Sequence, residues 1–95
     1  MKESLIEAAF RAYCLSKGLW CIKLWPFMVG LPDRLVVGPN RLIFFLELKA
    51  PGQQPNALQL RRLDQLREWG FTATWADNLE DAKRELDEAM HGIRA

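Results

Sequence analysis

Apolar residues recur at helical spacing in three stretches of the chain. The first covers residues 2–17, and the second begins at Asn56, a good N-cap residue, and reaches Trp69. The third begins near Asp77 and Glu80, whose spacing is that of a capping box. These stretches predict three helices, of which the last is acidic and is expected to face away from any nucleic acid. The apolar positions of the first and last helices are Leu5, Ile6, Ala9, Phe10 and Tyr13, then Leu79, Ala82, Leu86, Ala89, Met90 and Ile93.

Short runs rich in β-branched and aromatic residues fill the space between the helices and predict strands. They are Leu19–Trp25, the run that follows Pro32-Asp33, the run 42–49 and Phe71–Ala76. The third run is apolar on both faces as far as Leu46, which is typical of a central strand covered on both sides. The predicted order is therefore α-β-β-β-α-β-α. We expect one α/β domain spanning residues 1–95, with a mixed central sheet flanked by helices.

The second and third strands should form a hairpin whose register decides which side chains meet. A three-residue connection, Pro39–Arg41, pairs residues whose numbers sum to 80 and sets Asp33 across from Glu47. A two-residue turn would set Asp33 against Leu46, on the other face. Alternation along the strand also places Lys49 on the same face as Glu47. We predict the three-residue connection, or a bulge near Asp33 with the same effect.

Charged side chains beside a core have two explanations here. Glu47 and Lys49 could form a buried structural ion pair, because an unpaired buried charge costs several kcal/mol. Asp33 favours a second explanation, since opposed residues lie about 5 Å apart and two carboxylates that close repel unless a cation lies between them. Two carboxylates with an adjacent lysine suit a hard metal ion and a group that handles water or a proton. Oxygen ligands favour Mg²⁺ or Mn²⁺ over zinc.

The same residues carry a resemblance to a known family. Pro32-Asp33 followed by Glu47-Leu48-Lys49 is similar to the signature of the PD-(D/E)XK nuclease superfamily. The longer strings G-L-P-D-R-L-V-V and F-L-E-L-K-A-P-G, with a later Gln59 before a Leu-rich helix, resemble the virus-type replication-repair nuclease (VRR-NUC) domain. The resemblance extends from Glu3 to about Asp81. It implies a metal-dependent DNA endonuclease.

The resemblance also implies roles for individual residues. Asp33, Glu47 and the backbone carbonyl of Leu48 would ligate Mg²⁺ or Mn²⁺, and Lys49 would act beside them in catalysis. Lys49 would position the attacking water or offset negative charge in the transition state. It need not be the general base, because a lysine is ordinarily protonated at neutral pH.

Gln59 and the first-helix glutamates each allow two explanations. Gln59 has capping-box spacing after Asn56, yet it lies on the inward helix face and could orient Lys49 or its water, the role we favour. An acidic residue in the first turn of a helix interacts favourably with the helix dipole. The family resemblance instead brings such a residue to the metal, and the helical wheel favours Glu3 over Glu7.

Composition limits the remaining possibilities only modestly. Residues 1–76 carry a net charge of +4 and residues 77–95 carry −3, a weak signal for a polyanion partner. Two cysteines, Cys14 and Cys21, and one histidine give neither a disulfide framework nor zinc-type spacing. We expect Arg34 to be solvated or to face a phosphate. With no long apolar run and no apolar leader at the start, we also expect no membrane contact and a cytoplasmic location.

Aromatic residues predict a partner surface. Trp20, Trp25, Phe27 and Met28 cluster along the sequence just before the motif, and an exposed apolar patch there would favour a homodimer. Two sites related by a two-fold axis could cut a Holliday junction or other branched DNA symmetrically. The alternatives are a catalytically silent DNA-binding module and an oligomerisation module of the same fold.

Overall fold

The computed structural model describes residues 2–24 and 28–94 of the chain. Three helices and four strands follow the predicted order α-β-β-β-α-β-α, which confirms the predicted fold class. Their bounds are α1 Glu3–Ser16, β1 Trp20–Lys23, β2 Arg34–Gly38, β3 Leu42–Leu48, α2 Ala57–Glu68, β4 Thr72–Ala76 and α3 Leu79–Arg94.

The four strands form one mixed sheet in the order β1-β2-β3-β4. The pairs β1–β2 and β2–β3 are antiparallel, whereas β4 joins β3 in parallel after the α2 crossover. Strand β3 is therefore hydrogen-bonded on both edges, as its two apolar faces predicted. The ends of β2 and β3 that lie away from the hairpin turn carry the predicted site residues.

Helices cover both faces of the sheet. Helices α1 and α3 pack on one face, where Val36, Phe44 and Leu46 are fully buried. Helix α2 covers part of the other face, and its Leu63 and Leu66 lie against the β3–β4 pair. Leu5 was predicted to belong to the apolar stripe of α1, but it is 56% exposed. Ile6, Phe10 and Cys14 form the buried line of that helix instead.

The hairpin has the predicted register. Arg34 pairs with Leu46 and Gly38 with Leu42, so partner numbers sum to 80 and three residues connect the strands. In that connection Asn40 and Arg41 have φ values of 61° and 62°, in the left-handed region. Such a pair of residues turns the chain tightly while keeping the register that brings Asp33 toward Glu47.

Helix caps agree with the sequence at α2 and differ at α3. Asn56 caps α2 in a reciprocal capping box with Gln59. At α3 the cap is Asn78, whose Oδ1 accepts from the Asp81 N–H at 2.8 Å, and the predicted Asp77–Glu80 box is wrong. Asp77 is used elsewhere, since its Oδ2 accepts from the Gly52 N–H at 3.1 Å. Over residues 2–24 and 28–94, no helix has the length and apolarity needed to span a membrane.

Candidate active site

The candidate site lies where β2 and β3 separate. Their ladder ends at the Arg34–Leu46 pair, while the last two residues of β3 pair only with β4. Beyond that point side chains replace backbone partners. The Asp33 N–H donates to Glu47 Oε1, and the Leu48 N–H donates to Asp33 Oδ1, both at 3.2 Å. The two predicted carboxylates are thus brought together at the open end of the hairpin.

Glu47 is almost fully buried and is surrounded by donors. Its Oε2 lies 3.2 Å from Lys49 Nζ and accepts from Gln59 Nε2 at 3.3 Å. Burial raises the pKa of the Glu47 carboxyl, and the hydrogen bond and charge of Lys49 oppose that shift. The predicted neighbours Glu47 and Lys49 therefore form a close ion pair within the site. This pair holds the carboxylate in one orientation.

Gln59 both caps α2 and contacts the site, the two roles that its place in the sequence suggested. Its Oε1 accepts from the Asn56 N–H at 2.9 Å, which completes the helix cap. Its Nε2 donates to Glu47, so one amide joins the start of α2 to the site. The contact is made to Glu47, whereas we had expected Gln59 to orient Lys49 or its water.

Helix α1 supplies two more carboxylates. One oxygen from each of Glu3, Glu7 and Asp33 lies within 4.8 Å of the other two, a grouping that could hold a cation. The helical wheel favoured Glu3 over Glu7, but residues four apart lie on the same side of a helix and both reach Asp33. We call these three residues the acidic cluster. Glu47 lies beside the cluster, since its Oε1 accepts from the Asp33 N–H.

Asp33 has a shifted titration because of these surroundings. Burial is the main cause that raises the pKa of its carboxyl to about 6, and the charge of Glu47 raises it further. The Leu48 N–H and the Arg34 charge act in the opposite direction. The charged form of this carboxyl is disfavoured in the metal-free site, and a cation bound nearby would stabilise it.

Arg34 is a residue whose position the sequence analysis misjudged. Of the two expectations, a solvated side chain and one that faces a phosphate, the first is wrong, because Arg34 is 7% exposed and its Nη2 lies 2.9 Å from Glu7 Oε2. The available signal was parity, because Arg34 shares a strand face with Val36, which lies under α1. Arg34 therefore links α1 to β2 and contacts the acidic cluster through Glu7.

A cleft of about 290 Å³ opens onto Asp33, Glu47 and Gln59. One wall is the segment 28–33, which the Arg62 Nε holds against α2 through a 3.3 Å hydrogen bond to the Val29 carbonyl. Gly30 in this wall has a φ of +87°, and a Cβ there would lie 2.8 Å from Leu58 Cγ. Glycine at this position therefore lets the wall approach α2 closely.

Trp20 and Met28, the two described members of the predicted aromatic patch, lie on different surfaces. Trp20 is 70% exposed but pairs with Val37 near the hairpin turn, at the opposite end of β1 from the site. Met28 is exposed beside the site cleft. Trp25 and Phe27 lie outside the described residues. The patch near the turn and the site cleft are therefore separate surfaces.

Known structures share this architecture. A solved "VRR_NUC domain" matches 92% of this chain and 97% of its own length, with a TM-score of 0.81 and 21% sequence identity. A "VRR_NUC domain protein" matches 96% of this chain and 89% of its own, with a TM-score of 0.78 and 12% identity. The chain thus has the fold of VRR_NUC domains. This confirms, at the level of fold, the resemblance found in the sequence motifs.

Similarity in sequence is shorter in extent. No protein-family profile matches the chain. A curated protein named "Putative nuclease p44", from Acyrthosiphon pisum secondary endosymbiont phage 1, is 59% identical over 32 residues. That match covers 34% of this chain and 34% of the phage protein, about a third of each.

Proposed function

We propose that this protein is a metal-dependent nuclease that hydrolyses phosphodiester bonds in DNA. The observation that carries the proposal is the meeting of the acidic cluster with the Glu47–Lys49 pair at the open end of the β2–β3 hairpin. The VRR_NUC fold and the partial match to a phage protein named as a nuclease support it. A purely structural Glu–Lys pair would not explain why the carboxylates of Glu3, Glu7 and Asp33 are gathered within 4.8 Å of one another beside it.

The residues present fit a hard divalent cation. The donor set consists of carboxylate oxygens, which Mg²⁺ and Mn²⁺ prefer. The pKa of Asp33 is raised mainly by burial and further by the charges of Glu47 and Glu7, and a cation would favour its charged form. Asp33, Glu47 and the Leu48 carbonyl would hold the ion, with Glu3 as a further ligand. The Leu48 N–H points to Asp33. In an antiparallel ladder the N–H and C=O of one residue face the same neighbour, so the Leu48 carbonyl would face Asp33 as well.

Each neighbouring side chain has a defined task in this proposal. A bound Mg²⁺ or Mn²⁺ would polarise the phosphoryl group and lower the pKa of a coordinated water. Lys49 holds a positive charge 3.2 Å from Glu47 Oε2, where it can position the attacking water or offset charge on the phosphate. Gln59 fixes the second oxygen of Glu47 through its amide. Glu7 connects the acidic cluster to β2 through its ion pair with Arg34.

We further propose that the nuclease is a homodimer that acts on branched DNA. Trp20, Ile22 and Ile43 are all exposed, and strand pairing places them on one face of the sheet. An apolar sheet face of this kind is a suitable interface between two copies. Two sites in a symmetric dimer could cut paired strands of a four-way junction.

Cleavage of labelled four-way junctions, flaps, nicked duplexes and linear duplexes, with Mg²⁺, Mn²⁺ or a chelator, tests these proposals together. We expect Asp33→Ala, Glu47→Ala and Lys49→Ala each to abolish metal-dependent cleavage while circular dichroism shows a folded protein. Asp64→Ala is the matched control, because Asp64 is an exposed carboxylate on α2 that pairs with Arg67. Wild-type rates in Asp33→Ala would contradict the metal site. DNA binding without cleavage under every metal condition would favour the silent DNA-binding module.

A further inference from the structure

A second cleft lies on the α1 side of the sheet and is distinctly basic. Its volume is about 290 Å³, and the described residues that line it are Arg11, Cys21, Lys23 and Arg34. Three of these four carry positive charge and none is acidic. We call this the basic cleft.

Of these three cations, Arg34 alone has an ion-pair partner among the described residues. Lys23 and Arg34 are direct partners in the β1–β2 ladder, and like charges at opposed positions destabilise a sheet. Arg11 adds a third cation one helical turn after Glu7. Glu7 neutralises Arg34 through a 2.9 Å ion pair but does not line the cleft. The remaining positive charge would be balanced by an anion inside it.

The basic cleft is directly connected to the acidic cluster. Arg34 lines the cleft and also binds Glu7, and Glu7 lies within 4.8 Å of Asp33 and Glu3 through its carboxylate oxygen. The Arg34–Glu7 ion pair thus joins the cations of the cleft to the carboxylates of the cluster. In a nucleic-acid strand, one phosphate could lie at the metal-binding carboxylates while a neighbouring phosphate lies at the cations.

We propose that the basic cleft binds a backbone phosphate of the DNA that neighbours the phosphate being cleaved. The proposal rests on the nuclease function proposed above and identifies the surface that positions its substrate. Guanidinium groups suit phosphate because their planar N–H donors match its oxygens, and a lysine adds a mobile point charge. The pKa of the Cys21 thiol is lowered mainly by its hydrogen bond with Cys14, which burial opposes, and the charges of Arg34 and Arg11 lower it further while that of Asp33 raises it.

Salt-dependent binding without divalent metal measures these contacts independently of cleavage. The variants are Lys23→Ala, Arg11→Ala and the double variant, with anisotropy of a labelled duplex recorded in chelator at several salt concentrations. Each lost phosphate contact should reduce the slope of log K against log salt by about 0.9, equivalent to about 8-fold weaker binding at 0.1 M salt. Arg84→Ala is the control, because Arg84 lies on the acidic helix α3 and pairs with Asp81. Unchanged slopes in the double variant would overturn the proposal.

Cys21 provides a second, local readout. Cys14 is fully buried, whereas Cys21 lines the cleft, so mass spectrometry can follow alkylation of Cys21 by iodoacetamide in the native protein. We expect saturating duplex to slow this modification several-fold. In a separate competition at constant ionic strength, inorganic phosphate should weaken duplex binding by the wild type but not by the double variant. Duplex that binds without protecting Cys21 would place the DNA elsewhere.

These outcomes separate the two proposals. A protein that binds DNA through the cleft yet never cleaves it would contradict the nuclease function alone. A protein that cleaves DNA while Lys23→Ala and Arg11→Ala leave both the slopes and the protection of Cys21 unchanged would contradict the cleft alone. Inorganic phosphate that competes equally with the wild type and the double variant would also count against the cleft.

Discussion

The carboxyl of Asp33 accepts a hydrogen bond from the backbone of β3 and also lies among other carboxylates. Its Oδ1 accepts the Leu48 N–H in place of a strand partner, because the β2–β3 ladder ends at Arg34. The same carboxyl belongs to the acidic cluster. Structural and chemical roles therefore meet in one side chain, and isosteric substitutions are needed to separate them.

The raised pKa of Asp33 predicts how the stability of the metal-free protein depends on pH. The folded-state pKa of about 6 exceeds the ordinary 3.8, so the folded state binds the proton more tightly. The stabilisation that this pKa shift gives the folded protein is fully present below about pH 4 and is lost as pH rises through about 6. The free energy of unfolding then falls by an amount on the order of 2 to 3 kcal/mol. Urea unfolding in chelator between pH 4 and 8 measures it.

Asp33→Asn is the matched variant, because its amide oxygen can still accept from the Leu48 N–H. We expect the pH dependence to flatten in this range, with a smaller remainder from Glu47, whose pKa is also raised. Parallel stability curves for the wild type and Asp33→Asn would show that Asp33 titrates normally in the folded protein.

Gln59→Glu tests the bridge between the α2 cap and the site. A glutamate keeps an acceptor for the Asn56 N–H but puts a second carboxylate where Gln59 now donates to Glu47. We expect a loss of about 1 to 2 kcal/mol in the free energy of unfolding at pH 7, recovered near pH 4 where one carboxyl is protonated. Equal losses at both pH values would attribute the effect to the cap.

At the scale of elements, the site depends on where β2 and β3 stop pairing. The three-residue connection fixes the register, and the register decides that Asp33 approaches Glu47. Strand β3 continues past the end of β2 because β4 supports its other edge, where the Lys49 N–H donates to the Ala76 carbonyl at 2.9 Å. The open end is thus built by strands of unequal extent.

Asn40 lies in the connection at the end of the hairpin away from Asp33, and its deletion should nevertheless disrupt the site. Without Asn40, a three-residue connection can be kept only if Gly38 pairs with Ile43, which shifts the register by one and sets Asp33 against Leu48 on the other face, so we expect loss of cleavage together with lowered stability. Arg41→Gly is the control, since it keeps the length and suits the φ of 62°, and its free energy of unfolding should be unchanged or about 1 kcal/mol higher. Full activity in the deletion variant would contradict the register argument.

At the scale of the whole molecule, the two faces of the sheet are covered unequally. Helices α1 and α3 cover one face, while α2 covers only the β3–β4 side of the other. The uncovered part carries Trp20, Ile22 and Ile43, and β1 is the edge strand there. This asymmetry is the basis of the proposed dimer.

Trp20→Glu should convert the proposed dimer into a monomer. A charge in the centre of an apolar interface is left unpaired on association, which strongly disfavours the dimer. Light scattering at micromolar concentration should show a halved mass for this variant. Trp69→Glu is the control, because Trp69 is similarly exposed, at 67% against 70%, and lies at the end of α2. A wild type that is monomeric throughout would exclude the dimer.

The sequence by itself determined the elements, their order and the hairpin register, because these follow from local periodicity, turn length and strand parity. It also placed Asp33, Glu47 and Lys49 near one another, since the register and alternation are enough for that. Tertiary structure alone decided that Glu7 joins Glu3 beside Asp33 and that Arg34 is buried against Glu7. Those contacts depend on how α1 crosses the sheet, and a helical wheel describes the faces of one helix without specifying what each face meets. For the same reason, the basic cleft between α1 and the β1–β2 pair became visible only once the elements were packed together.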